Sequence, residues 1–210
     1  GYSLSPDIMP IKVDKEYLKT PIIPFDAAEK AHIPVWITEI SDVTPLDTSI
    51  QDGLKWAVTF HNYLTKANVN AIIWWGGAMP TSNNESLIIL NKNRKDYTLS
   101  KRYDILGNYS RYISEGSTRI QVTQPKNKDL LVSAYKKNDK YILVAINLSE
   151  KTISTNIRLD GANIKGALKQ FITNKDNRWN KTNIVPVSNK YYNLTIPQFS
   201  IVTLVGKVHL

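Results

Sequence analysis

The spacing of apolar residues changes once along this chain, near residue 117, and that change constrains the fold more than any other feature. Before it, Ile33-Pro-Val-Trp-Ile-Thr-Glu-Ile40 and Val69-Asn-Ala-Ile-Ile-Trp-Trp75 are short, almost continuously apolar runs. Such runs suit parallel strands covered on both faces. Between them Ile50, Leu54, Ala57, His61 and Leu64 recur at helical spacing behind a capping-box-like Thr48-x-x-Gln51, which predicts an amphipathic helix over about 48–67. A Gly76-Gly77 stop, a long Asn-, Ser- and Pro-rich connector over about 76–98 and a second helix over about 99–113, with Gly116 as its C-terminal stop, complete an α/β half. After residue 117 the period is two. Strands are expected near 118–123, 130–136, 140–148, 153–159, 167–172, 190–196 and 200–206, with Asn138-Asp139 as a tight hairpin turn. Seven short strands with polar turns favour an antiparallel β-sandwich, so the expected fold class is α/β plus all-β, divided into 1–115 and 116–210.

Composition removes several chemistries. Cysteine is absent, which excludes disulfides, thiolate metal sites and a Cys nucleophile. His32, His61 and His209 are scattered, so neither a metal nor another cofactor is implied. No run approaches the roughly 18 apolar residues of a membrane span and no signal peptide opens the sequence, so the chain reads as soluble and already processed or trimmed. Residues 116–210 hold 15 Lys and Arg against 5 Asp and Glu, where 1–115 hold 12 against 13. The excess basic residues sit around predicted turns and no nucleic-acid motif accompanies them, so a solvated surface is expected and nucleic acid is not an expected partner. Five Trp and eleven Tyr exceed what a core requires, and such rings line sugar-binding clefts.

Glu39 is the sharpest chemical signal. A carboxylate at the end of a buried parallel strand costs several kcal/mol unless it is paired, hydrogen-bonded or used. The carboxyl ends of strands in parallel β/α folds face the ligand, so Glu39 reads as catalytic; a helix-capping or lysine-paired Glu is the competing reading. Trp74 and Trp75 end the next run at the same face and offer an indole wall for the CH face of a pyranose. Strand alternation turns one of the two into helix packing, and Trp74 is the expected substrate platform. Asp42, Asp47 and Asp52 read as turn and helix-start acids without chemistry. The sequons at Asn84, Asn108, Asn147, Asn180 and Asn193 matter only in a eukaryotic secretory pathway.

In order along the chain, Val35-Trp-Ile-Thr-Glu-Ile-Ser41, Ala71-Ile-Ile-Trp-Trp75, Ser100-Lys-Arg-Tyr103 and Ser110-Arg-Tyr-Ile113 resemble glycoside hydrolase family 30. Val132-Ser-Ala-Tyr135, Leu143-Val-Ala-Ile-Asn147 and Ile196-Pro-Gln-Phe-Ser200 resemble the side β-domain of the same family. The likeness runs over about 33–206 and is strongest to the xylanase branch. It implies the last strands and helices of a (β/α)8 TIM barrel followed by a β-sandwich side domain. It further implies Glu39 as the nucleophile at the end of the seventh strand, Trp74 and Trp75 on the eighth, and Tyr2 as a substrate-binding tyrosine after the sixth.

The implied activity is retaining hydrolysis of a β-1,4-xylan-type polysaccharide by double displacement, in a secreted or extracellular setting. The family's acid/base Glu lies on the fourth strand, and a whole barrel needs about 250 residues. A complementary N-terminal segment is therefore an expected partner, and this chain alone is expected to be incomplete as an enzyme. Glucuronoxylan-specific members carry an arginine-bearing segment where this chain has Gly76-Gly-Ala-Met-Pro-Thr-Ser-Asn-Asn-Glu85. A non-catalytic carbohydrate-binding module, or an assembly subunit suggested by unpaired strand edges, is the alternative class.

Overall fold

The computed structural model describes residues 2–3, 24–93, 95–160, 166–188 and 191–207, with only the backbone for 2–3 and 187–188. Two compact units divide the chain, Gly1–Tyr103 and Asp104–Leu210, with the boundary inside a helix. It falls earlier than the period change, because the second half of that helix carries Asn108 into hydrogen bonds with Thr173 and Thr203 of the later strands.

The first unit holds β1 (Tyr2–Ser3), α1 (Asp26–Lys30), β2 (Trp36–Ile40), α2 (Ile50–Thr65), β3 (Ala71–Trp74), β4 (Ala78–Met79), β5 (Ile88–Leu90) and β6 (Tyr97–Leu99), then the start of α3 (Lys101–Ser110). β1, β2 and β3 form a parallel sheet in that order. Ile37 and Ile40 of β2, Leu54, Trp56, Ala57 and Phe60 of α2, and Trp74 of β3 are all buried. α2 starts two residues later than predicted: its N-cap is Ser49, whose hydroxyl accepts from Asp52 N, while Asp47 Oδ1 holds Ser49 N. The Thr48 capping box is thereby replaced by a Ser49 cap. α2 is also buried nearly all round rather than along one stripe, with Gln51 alone fully exposed along Ile50–Thr65.

The connector after β3 is ordered. β4 pairs with β5 in parallel and β5 with β6 antiparallel, forming a small sheet that the alternation of the sequence did not reveal.

The second unit contains β7 (Thr118–Ile120), β8 (Leu130–Lys137), β9 (Lys140–Asn147), β10 (Ile153–Arg158), β11 (Leu168–Thr173), β12 (Asn180–Ile184), β13 (Pro186–Ser188), β14 (Tyr191–Ile196) and β15 (Ser200–Lys207). A six-stranded antiparallel sheet runs β12-β11-β15-β9-β8-β7, and a three-stranded one runs β10-β14-β13. Both contribute to one hydrophobic cluster: Leu130, Ala145, Leu168, Val202 and Leu204 from the first, Tyr192, Leu194 and Ile196 from the second. Asn138, at φ +52°, turns the β8–β9 hairpin and sets Lys137 opposite Lys140, as its turn chemistry predicts. Asn147 at the end of β9 is buried and donates to the carbonyls of Lys151, Ile196 and Pro197. β12 and β13 escaped prediction because β12 is a polar, exposed edge strand without alternating burial.

Among the described residues no helix is long and apolar enough to cross a membrane. No group of His, Asp or Glu among them could hold a metal ion.

Candidate active site

β2 carries one more residue than β3 between two of their pairings, Ile37 with Ile72 and Ile40 with Trp74. The irregularity is a β-bulge at Thr38-Glu39, and it recurs against β1, where Ser3 pairs with Glu39. Ile37 and Ile40 are buried on one side of it, while Thr38 is exposed and Glu39 half-buried on the other. The bulge thus aims the Glu39 carboxylate away from the face that packs on α2. No hydrogen bond or ion pair engages that carboxylate among the described residues.

At the end of β3 the two indoles part. Trp74 is 8% exposed and its ring meets Trp56 edge-on, centroids 4.6 Å apart and planes at 83°, with Phe60 at 6.5 Å. Trp75 is 50% exposed, and its backbone N–H donates to Ile40 O at 2.9 Å. Trp74, expected as the sugar platform, thus packs its ring against α2. Successive strand residues face opposite ways, α2 claims the first ring, and Trp75 is left on the Glu39 face. Trp36 and Ile73, 54% and 48% exposed, lie on that face as well. Tyr2 is placed through its backbone alone, opposite Ile37 on β1; its side chain lies outside the described residues.

Glu85 reaches both indoles. Its backbone carbonyl accepts from Trp74 Nε1 at 2.8 Å and its Oε1 from Trp75 Nε1 at 3.2 Å. The approach requires glycine at 76: φ there is +84°, and a Cβ would stand 2.4 Å from Glu85 O. Leu87 N and Ile88 N then donate to the carbonyls of Gly76 and Gly77.

A buried polar network ties this connector to the one after β2. Asp42 accepts from Thr44 N and Oγ1, from Trp56 Nε1 at 3.3 Å and from Asn84 Nδ2 at 3.4 Å. Asn84 also donates to Thr44 Oγ1 and Asp52 Oδ1, and its Oδ1 accepts from Asp47 N. The fully buried Arg102 of α3 contacts the Asp52 carboxylate and donates to the carbonyls of Asp47 and Ser86. Burial pushes Asp52 up to about 6, against the opposing pull of Arg102. The sequence reading missed Asn84 and Arg102 as structural residues. Asn84 is 1% exposed and hydrogen-bonded on both amide atoms, so its sequon is a packing feature; Asn108 and Asn147 are buried likewise.

A carboxylate on the face that bears an exposed indole, with no partner among the described residues, can act as a nucleophile or a hydrogen-bond acceptor toward a sugar. No protein-family model matches the chain. In sequence the chain is 26% identical over 180 residues to glucuronoxylanase XynC of Bacillus subtilis strain 168, covering 81% of this chain and 39% of that one. Among solved structures, a family 30, subfamily 8 xylanase of Clostridium acetobutylicum matches with a TM-score of 0.77 at 23% identity, over 90% of this chain and 46% of that one. A family 30 endoxylanase of Clostridium papyrosolvens matches with a TM-score of 0.72 at 23% identity, over 88% and 45%. The chain thus spans less than half the length of the relatives it matches, and the likeness to glycoside hydrolase family 30 xylanases read from its motifs is found again in both sequence and fold.

Proposed function

We propose that this chain is the C-terminal portion of a retaining family 30 glycoside hydrolase that cleaves a β-1,4-xylan-type polysaccharide outside the cell. The observation that carries the reading is the bulge that sets Glu39, at the carboxyl end of β2 and without a partner among the described residues, on the same face as Trp75. β1, β2 and β3 read as the last three strands of a (β/α)8 barrel filling about 1–115, and the two later sheets as a side β-sandwich in 116–210. A related solved structure described as an exported protein of Bacteroides fragilis, TM-score 0.70, supports the extracellular setting.

Glu39 attacks the anomeric carbon as a second carboxyl protonates the departing glycosidic oxygen, leaving a glycosyl ester on Glu39. The second carboxyl then takes a proton from water, whose oxygen bonds to the same carbon and frees Glu39. The two carboxyls must stand about 5–5.5 Å apart for this course. The second is assigned to a complementary segment with the earlier barrel strands, which would also cover the exposed Trp36 and Ile73.

Xylan hydrolysis by this chain alone, and together with a polypeptide carrying the earlier strands, tests the reading. Turnover is expected only from the combination, with retained anomeric configuration and a trapped glycosyl group on Glu39 detected by mass spectrometry. A Glu39→Gln variant as active as the parent overturns it. If turnover survives in that variant while deletion of 116–210 abolishes polysaccharide retention, the chain is a carbohydrate-binding module instead.

A further inference from the structure

Resting on that reading, we infer that Trp75 and Glu85 form a sugar subsite for an unsubstituted pyranose unit, in which Glu85 both orients the indole and reads free hydroxyls. The backbone of Glu85 is fixed at three points: its N–H donates to Asn83 Oδ1 at 3.0 Å, its carbonyl accepts from Trp74 Nε1, and that carbonyl lies against Gly76. The carboxylate therefore leaves a defined anchor. One oxygen holds the indole N–H of Trp75, which fixes the plane of a ring that is half in solvent.

The rest of the carboxylate is uncommitted. A carboxylate offers about four acceptor sites and the indole uses one. No ion pair reaches Glu85 among the described residues, and the sequence has no Lys or Arg between Lys66 and Lys92. Alternation after Trp74 turns Trp75 to the face that bears Glu39, and the indole N–H keeps the Glu85 carboxylate beside it. An apolar ring face beside an acceptor-only edge complements a pyranose whose CH face stacks and whose neighbouring hydroxyls donate. An esterified or glycosylated oxygen at that unit has lost its O–H donor, and an acidic substituent adds charge repulsion, so the subsite selects a bare sugar.

The test uses the whole chain combined with a polypeptide carrying the earlier barrel strands, with β-1,4-xylo-oligosaccharides, unsubstituted and acetylated, and reads both dissociation constants and the indole N–H resonances. Glu85→Ala is expected to shift the Trp75 indole resonance and leave that of Trp74, whose acceptor is the backbone. It should weaken the unsubstituted sugar about tenfold, on the order of 1.4 kcal/mol, and the acetylated one less, through the indole alone. Glu85→Gln, whose amide oxygen still accepts, should restore the indole resonance and part of the affinity. In a Trp75→Phe background the loss caused by Glu85→Ala should shrink, because part of it acts through the indole. Unchanged binding in Glu85→Ala, or equal loss of both sugars, overturns the subsite. A wild-type chain that binds neither sugar even when combined with the earlier-strand polypeptide overturns the function proposed above, and the indole resonance then judges the Trp75–Glu85 pairing by itself.

Discussion

Asp52 carries two opposed demands, because burial favours its neutral acid while the buried guanidinium of Arg102 favours the carboxylate. Burial wins enough to raise its pKa from 3.8 to about 6. The native chain therefore holds a proton that the unfolded chain releases, and this contribution to stability is present below about pH 4 and lost as pH rises through about 6, by on the order of 3 kcal/mol. Asp52→Asn should be less stable by about 3–5 kcal/mol near pH 4, since Arg102 is left as an uncompensated buried charge. Denaturation from pH 4 to 7 should show wild type losing its advantage over Asp52→Asn as pH rises. A gap that widens instead would reverse the assignment. None of this was legible at 52, because Arg102 sits fifty positions away and its motif, Ser100-Lys-Arg-Tyr103, said only that the segment was familiar. Glu39 was legible because a charge inside an apolar run is visible without coordinates. The bulge that aims it was not, since an extra residue leaves no mark in the pattern of residue types.

β14, which alternates strictly in burial, and β8 and β9, apolar runs joined by the Asn138-Asp139 turn, were predicted nearly to the residue, whereas α2, buried all round, looked merely amphipathic, and the exposed β12 left no pattern. α3 and the residues just before β12 meet at a notch. Trp179, at φ +49°, lays its indole over Gly107, donates to Asp104 O at 2.8 Å and lies under the Arg111 guanidinium, 4.3 Å from the ring centre. A Cβ on Gly107 would stand 2.2 Å from Trp179 Cζ2. Helix propensity favours alanine there by about 1 kcal/mol, but displacing the ring loses the hydrogen bond and the cation–π contact as well as packing. Gly107→Ala should therefore lower stability by about 1–2 kcal/mol. In a Trp179→Ala background the same change should become stabilising, and denaturant midpoints for the four chains decide it. Loss in both backgrounds would place the cost elsewhere than under the indole.

Across the whole molecule charge is divided as unevenly as secondary structure. The first unit holds 11 Lys and Arg against 11 Asp and Glu, the second 16 against 7. Sequence alone located that excess but set it around turns. The strand register places part of it within the sheet: Lys137 faces Lys140 across β8 and β9, and Lys140 faces Lys207 across β9 and β15. Like charges directly opposite one another destabilise a strand pair. Two of the ammonium groups are tethered, Lys137 to Ser114 Oγ and Lys140 to Tyr112 O, while Lys207 is well exposed and 3.8 Å from Asp139. Exposed ion pairs of that kind contribute little, so repulsion should govern how the second unit responds to salt. Raising NaCl from about 20 to about 200 mM shortens the screening length from roughly 20 to 7 Å, which should move the thermal transition of that unit upward. Lys207→Gln should gain a few tenths of a kcal/mol at low salt and flatten the dependence. A transition that falls on adding salt would mean that attraction to Asp139 and the other carboxylates outweighs the crowding of lysines on adjacent strands.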